Sequence, residues 1–198
     1  MLSVAKKKEE LKKMGDKLSI VHGDIQKMSS IKNSSINYVT IIYNPVSFVK
    51  QPQLFFMEIK RILKTAGIGL IMGQGFPNAI ASKINNYVAD ASELKKLDHS
   101  EHVKLNPELM SLNIFSKESI ESLAQKAGLK VIKTYGIQVF MQPGPEDFDS
   151  ENKLKSRVST KLENDSKFYK QVLDLEMKYN SHESYVNRGM NLMIIVQK

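Results

Sequence analysis

The stretch Ile36–Met72, INYVTIIYNPVSFVKQPQLFFMEIKRILKTAGIGLIM, holds two strands with a helix between them. Ile36 to Tyr43 is nearly all apolar and rich in β-branched residues, the pattern of a parallel strand covered on both faces. Gln53 to Lys64 then places Leu54, Met57 or Phe56, Ile59 or Ile62, and Leu63 on one helix face, and Gly67 is predicted to end that helix. Ile68 to Met72 forms the next strand. A strand returning through a helix to another strand is the unit of a parallel α/β sheet with right-handed crossovers.

The same alternation continues outward. Upstream, LSIV within Lys17 to His22 reads as a short strand, followed by a helical or irregular stretch around Ile25 to Ile31. Met1 to Lys13 spaces Leu2, Ala5 and Leu11 as an amphipathic helix stopped at Met14-Gly15-Asp16. Downstream, Pro77 to Ala89 looks helical, and the polar, poorly periodic Ala91 to Met110 is expected to form a flap over the sheet. Ser116 can cap a helix running to Ala127, closed by Gly128, before a long strand from Leu129 to Met141. After the Pro143-Gly144-Pro145 turn come two charged helices from Ser150 to Tyr179, broken near Asn164-Asp165. The apolar strand Met190 to Val196 tucks the end of the chain into the sheet. The fold class is therefore α/β, a doubly wound, Rossmann-like sheet in one domain.

Composition narrows the function. The 198 residues are 41% hydrophobic, enough for one sizeable core. Cysteine is absent, which removes disulfides, thiolate metal sites and a cysteine nucleophile. No apolar run is long enough for a membrane span and no export signal is visible, so the expected location is cytoplasmic. The net charge of +8 comes from 29 basic residues, of which only Arg61, Arg157 and Arg188 are arginine. Scattered lysines without grouped arginines or interleaved aromatics are not the usual nucleic-acid surface, although they do not exclude one.

Other candidate chemistry is thin. His99 and His102, with Asp98 and Glu101, make an H-x-x-H step that lacks a third ligand, so a solvated loop is expected and no metal. Glu146, Asp147 and Asp149 suit the start of the following helix. Arg188, in an Asn-Arg-Gly turn, can grip an anionic acceptor or pair with one of those acids. His22 reads as a packed or edge residue, and no serine–histidine–acid set stands out.

Several of these features resemble the class I S-adenosylmethionine-dependent methyltransferases, and the resemblance covers nearly the whole chain. MLSVAKKK resembles the end of the helix after that family's second strand, and Gly23-Asp24-Ile25 the step closing its third. Ile36 to Asn44 resembles the fourth strand and its exit. EIKRILKTAGIGLIM resembles the next helix and the fifth strand, with Thr65-Ala66-Gly67 in place of a Pro-Gly-Gly turn. AGLKVIKTYG and the terminal strand resemble an antiparallel hairpin of strands six and seven.

The resemblance implies S-adenosylmethionine as cofactor. Asp24 would accept from the adenine amino group, Ile25 would pack on the ring, and Tyr43 and Asn44 would line the methyl donor. Phe48 and Phe115 hint at an apolar or planar small-molecule acceptor, with Arg188 a further candidate for holding it. No catalytic residue is assigned, because methyl transfer needs alignment more than acid–base help. In the family order 3-2-1-4-5-7-6, the glycine-rich loop and the first two strands would lie upstream of Met1. The glycines Gly67, Gly69, Gly73 and Gly75 are not a substitute, since they fall within and after a strand. The sheet is thus expected to be mostly parallel with an antiparallel last strand, to lack its first two strands, and to expose an edge that invites a partner chain or a second copy. An internal start, a degraded gene and a partner-supplied strand each account for this, the first being the expectation. A helical insertion over residues 147–185, between the last two strands, would act as a lid. Rival readings are a non-catalytic scaffold of the same fold and a Lys-rich RNA-binding protein.

Overall fold

In the computed structural model, residues 17–85, 89–97, 101–105, 108, 110–141 and 157–198 are described. The elements are β1 (Ile36–Ile41), α1 (Pro52–Ile62), β2 (Leu63–Gly75), α2 (Phe76–Asn85), α3 (Ala91–Leu97), β3 (His102–Val103), β4 (Leu112–Phe115), α4 (Lys117–Lys126), β5 (Lys130–Ile137), α5 (Arg157–Asn164), α6 (Ser166–Tyr179) and β6 (Asn191–Gln197). Short 3-10 helices at Pro45–Phe48 and Val186–Arg188 join them. The expected helix at Met1–Lys13 and the Pro143-Gly144-Pro145 turn with its acidic cluster lie outside the described residues, as do Asp98 and His99.

Long β2 organises one mixed sheet. β1 pairs with it in parallel through Tyr38–Ile41 against Ile68–Ile71, and β4 does so farther along, at Gln74 and Gly75. Its other side takes β6, antiparallel from Ile68↔Gln197 to Gln74↔Asn191, and β5 pairs antiparallel with β6 beyond it. The last strand therefore sits between the fifth-strand equivalent and the penultimate strand, as the sequence reading expected. Its continuous apolar run is explained by that position, with Leu192, Ile194 and Val196 fully buried.

The main core lies between this sheet and helices α1 and α4. Phe55, Phe56, Ile59 and Ile62 point inward from α1, the two rings meeting edge to face at 5.4 Å. Each such side chain contributes about 1.5–3 kcal/mol on full burial. Ser116 caps α4 by a reciprocal pair of bonds with Ser119, and Gly128 ends it at φ +75°, a conformation open to glycine. Asp165 breaks α5 from α6 by capping the latter, its carboxylate accepting from the Phe168 N–H.

Several expectations need correction. Lys17–His22 forms no strand; Leu18 and Val21 are exposed, and no strand pairs with them among the described residues. β1 is not covered on both faces: Ile36, Val39 and Ile41 pack on the main core, while Asn37, Tyr38 and Thr40 are exposed. Leu54 and Met57 face outward, the neighbouring Phe55 and Phe56 having taken the inward face. Helix α1 stops at Ile62 and Gly67 lies inside β2, in an irregular stretch where Ala66 has φ +60° and a Cβ on Gly67 would come within 2.9 Å of the Lys64 carbonyl. Of the segment Ala91–Met110, the described α3 and β3 pack on α2 and β4 through a second cluster of Ala79, Leu97, Val103 and Ile114.

Candidate functional site

A cavity of about 580 Å³ opens beside the carboxyl end of β1. The turn Gly23–Gln26 forms one wall, and the exit of β1, from Tyr43 to Lys50, forms the other. Parallel α/β sheets place ligands at this end of their strands.

The turn is built on Asp24. Its Oδ1 accepts from the Gln26 backbone N–H at 2.8 Å, and the Gln26 side-chain amide approaches both carboxylate oxygens at 3.3 Å. This is an Asx turn, which fixes the carboxylate without burying it. The Gln26 backbone bond, then its side chain, and more weakly the Lys50 charge hold the carboxyl below the usual aspartate range. The group is thus an ionised acceptor facing solvent. Gln26 also accepts from the Gln51 N–H at 2.8 Å, joining the turn to the start of α1. Ile25 is half-buried, lines the cavity and packs on the main core.

At the opposite wall two consecutive non-glycine residues are left-handed, Tyr43 at φ +63° and Asn44 at φ +61°. Such a conformation costs roughly 1–2 kcal/mol per residue and is held here by surrounding bonds. The Asn44 carbonyl accepts from the Ser47 N–H at 2.9 Å, and its Nδ2 donates to Asn191 Oδ1 at 2.6 Å and to Gln74 Oε1 at 3.5 Å. The reversal swings Tyr43 out into the cavity mouth, 87% exposed, and turns the Asn44 amide inward. There Asn44 Oδ1 is buried without a hydrogen-bond partner among the described residues.

Comparison with known proteins bears on the fold. Residues 1–71 match the family model for the methyltransferase domain. A methyltransferase from Mesorhizobium loti, S-adenosylmethionine dependent, superposes with a TM-score of 0.54 at 8% identity, over 96% of this chain and 74% of that one. The cyclase SpnF superposes at 0.53 and 11% identity, over 96% and 60%. A further methyltransferase, from Methanosarcina mazei, gives 0.50 at 12% identity, over 89% and 65%. The fold is that of the class I S-adenosylmethionine-dependent methyltransferases. No curated protein matched the chain in sequence. The chain spans 62% of a Haloferax volcanii methyltransferase and 63% of one from Galdieria sulphuraria, both matched at low identity. The presence of a cyclase among these structures is a reminder that reaction follows from the site, not from the fold.

On this methyltransferase fold the sequence-predicted residues divide into groups. Asp24, Ile25, Tyr43 and Phe48 line one cavity, whereas Asn44 turns from it into an amide cluster with Gln74, Asn78 and Asn191. Phe115 is buried at 3% exposure and lines a second cavity, its ring seated where a Cβ on Gly73 would come within 2.7 Å. Arg188 stands on the Val186–Arg188 turn and lines neither cavity. Gly67, Gly69, Gly73 and Gly75 all lie in β2, so none forms a phosphate-type loop. His22 is exposed, and the described residues contain no group of three metal-binding side chains. No described helix is long and apolar enough to cross a membrane.

Sequence reasoning missed Gln26, Lys50 and Gln51. The Asp-Ile-Gln spacing of an Asx turn was the available signal for Gln26. It also missed the buried Asn113 and Asn191, for which no periodic signal exists.

Proposed function

We propose that the chain binds S-adenosylmethionine in the cavity beside β1 and serves methyl transfer to a small-molecule acceptor. One observation carries the reading: Asp24, Ile25, Tyr43 and Phe48 line a single cavity at the carboxyl end of a parallel strand in this fold. The residues fit the adenine end of the cofactor. Asp24, ionised and held by its turn, is an acceptor for an exocyclic amine, and Ile25 offers an apolar face to a ring. Tyr43 covers the mouth, and half-exposed Phe48 gives an apolar or planar acceptor a surface.

Bound there, the cofactor would supply an electrophilic methyl group on sulfur to a nucleophilic acceptor. The chain's own part is to align these atoms and exclude water, so no acid or base is required of it. A cofactor carries a ribose and a methionine end as well, and Asp24 is the one acid lining the cavity among the described residues. We place the remaining holder on a strand added at the outer edge of β1. That edge is uncharged and unpaired among the described residues. The reading carries a cytoplasmic location with it.

Ultraviolet crosslinking of methyl-tritiated cofactor followed by tryptic mapping tests the site. Label is expected on residues 18–27 or 33–50, the peptides that carry Asp24 and Tyr43, and is expected to fall in Asp24→Ala. Label confined to other peptides, or unchanged by the substitution, would count against the reading.

A further inference from the structure

A second cavity, of about 430 Å³, lies between the start of α1 and the face of α4, over β4. Its floor is apolar, formed by Ile114, Phe115 and Leu123. Its rim is polar, with the cations Lys50 and Lys126 beside His102 and Ser122, and Glu101 is the one acid among the described lining residues. Lysine stems along an inter-helix groove are usual, and by themselves they say nothing about a ligand. Two further observations do.

The first concerns rigidity. Asn113, 5% exposed, donates its side-chain amide to the carbonyls of Val49 at 2.7 Å, Ser47 at 3.1 Å and Val46 at 3.4 Å. These bonds fix on β4 the turn that ends in Lys50. Gln53 spans the cavity, its Nε2 donating to the Leu123 carbonyl at 3.3 Å and tying α1 to α4. The walls are therefore held in place by the fold itself, which lowers the cost of binding.

The second concerns charge. Among the described residues neither Lys50 nor Lys126 makes an ion pair, while lysines elsewhere do, as in Lys83–Glu93 and Lys170–Asp174. Lys50 is the least of the influences on the Asp24 carboxylate and makes no ion pair with it among the described residues. The molecule's net charge of +8 draws anions toward such a mouth.

We infer that this cavity binds a small organic anion with an aromatic or branched apolar body, Lys50 and Lys126 meeting its charge and Ile114, Phe115 and Leu123 its body. The site is separate from the one beside β1. It stands or falls independently of cofactor binding, although Lys50 borders both cavities.

Benzoate is a suitable probe, with benzyl alcohol supplying the body without the charge and inorganic phosphate the charge without the body. Titrations of the full chain, followed by amide NMR shifts, should show saturable benzoate binding that moves Ile114, Phe115 and Leu123. Both control compounds should bind about tenfold more weakly or worse. Lys126→Met alters an exposed side chain that lines this cavity and not the one beside β1, and should weaken benzoate by roughly two- to fivefold, the range of an exposed ion pair. The affinity should also fall with added salt. Benzyl alcohol binding as well as benzoate, an unchanged affinity in Lys126→Met with the spectrum otherwise intact, or an absence of saturable binding would each overturn the inference.

Discussion

Replacing Asn113 tests how the cavity walls are held. Its Nδ2 carries two protons and faces three backbone carbonyls, of Val46, Ser47 and Val49, in a place almost closed to water. Asn113→Ala removes two good hydrogen bonds and leaves buried acceptors unsatisfied. At about 1 kcal/mol net for each bond, plus part of the 1–3 kcal/mol cost of an orphaned carbonyl, the loss should be about 2–4 kcal/mol. For a chain of this size that lowers Tm by roughly 4–16 °C.

Asn113→Asp is the sharper variant because it keeps shape and reverses the chemistry. A carboxylate would face three carbonyl oxygens, so its pKa must rise in the folded state. A raised folded pKa makes the variant relatively more stable below the unfolded aspartate value, near pH 3.9, and less stable as pH climbs above it. Denaturant unfolding should therefore show Asp worse than Ala at pH 7, with the gap narrowing toward pH 4. If Ala costs under about 0.5 kcal/mol, or if Asp is tolerated as well as Asn at pH 7, the account of this wall is wrong.

Ile59→Ala, at a fully buried position on α1, should cost about 2–5 kcal/mol in equilibrium unfolding. Glu58 accepts from Arg61 at 2.7 and 2.8 Å and from the Met28 N–H at 2.6 Å, and the Arg61 bond chiefly holds its carboxyl below the usual glutamate range. The stability this contributes is present above the unfolded value, near pH 4.3, and is lost as pH falls through the lower folded value. Glu58→Gln should accordingly flatten the acid limb of stability against pH. Thr40→Lys places a charge on the strand β1, whose outer edge is unpaired among the described residues, and should reduce concentration-dependent association in sedimentation velocity, with the monomer spectrum unchanged.

What the sequence revealed, and what it hid, follows from the kind of signal each feature leaves. β6 was legible because a strand flanked by β2 and β5 must be apolar throughout. Ser116, Gly128 and Asp165 were legible because caps need particular side chains or a particular φ. The phase of α1 was not, since QLFFM is apolar at four of its five positions and only packing selects Phe55 and Phe56. LSIV carries a strand pattern, but a strand exists only where another pairs with it. β1 is apolar enough for burial and yet half exposed, with Ile36, Val39 and Ile41 on the core and Asn37, Tyr38 and Thr40 open to solvent.

The site divides in the same way. Asp24, Ile25, Tyr43 and Phe48 came from a linear resemblance, and one cavity unites them. Asn44 came from it too, but a left-handed backbone sends its amide to Asn191, 147 residues away, a contact no local pattern encodes. Phe115 and Lys50 meet at a second cavity through tertiary packing alone.

The most direct test of the central claim is an amide NMR titration of the full chain with S-adenosylhomocysteine, repeated on Asp24→Asn, which keeps the side chain's size and removes its charge. The account predicts saturable shifts at Asp24, Ile25, Gln26 and Tyr43, weakened about tenfold or more in the variant, as expected when a charged acceptor is lost. Shifts confined to other parts of the molecule, or an affinity that Asp24→Asn leaves unchanged, would contradict it.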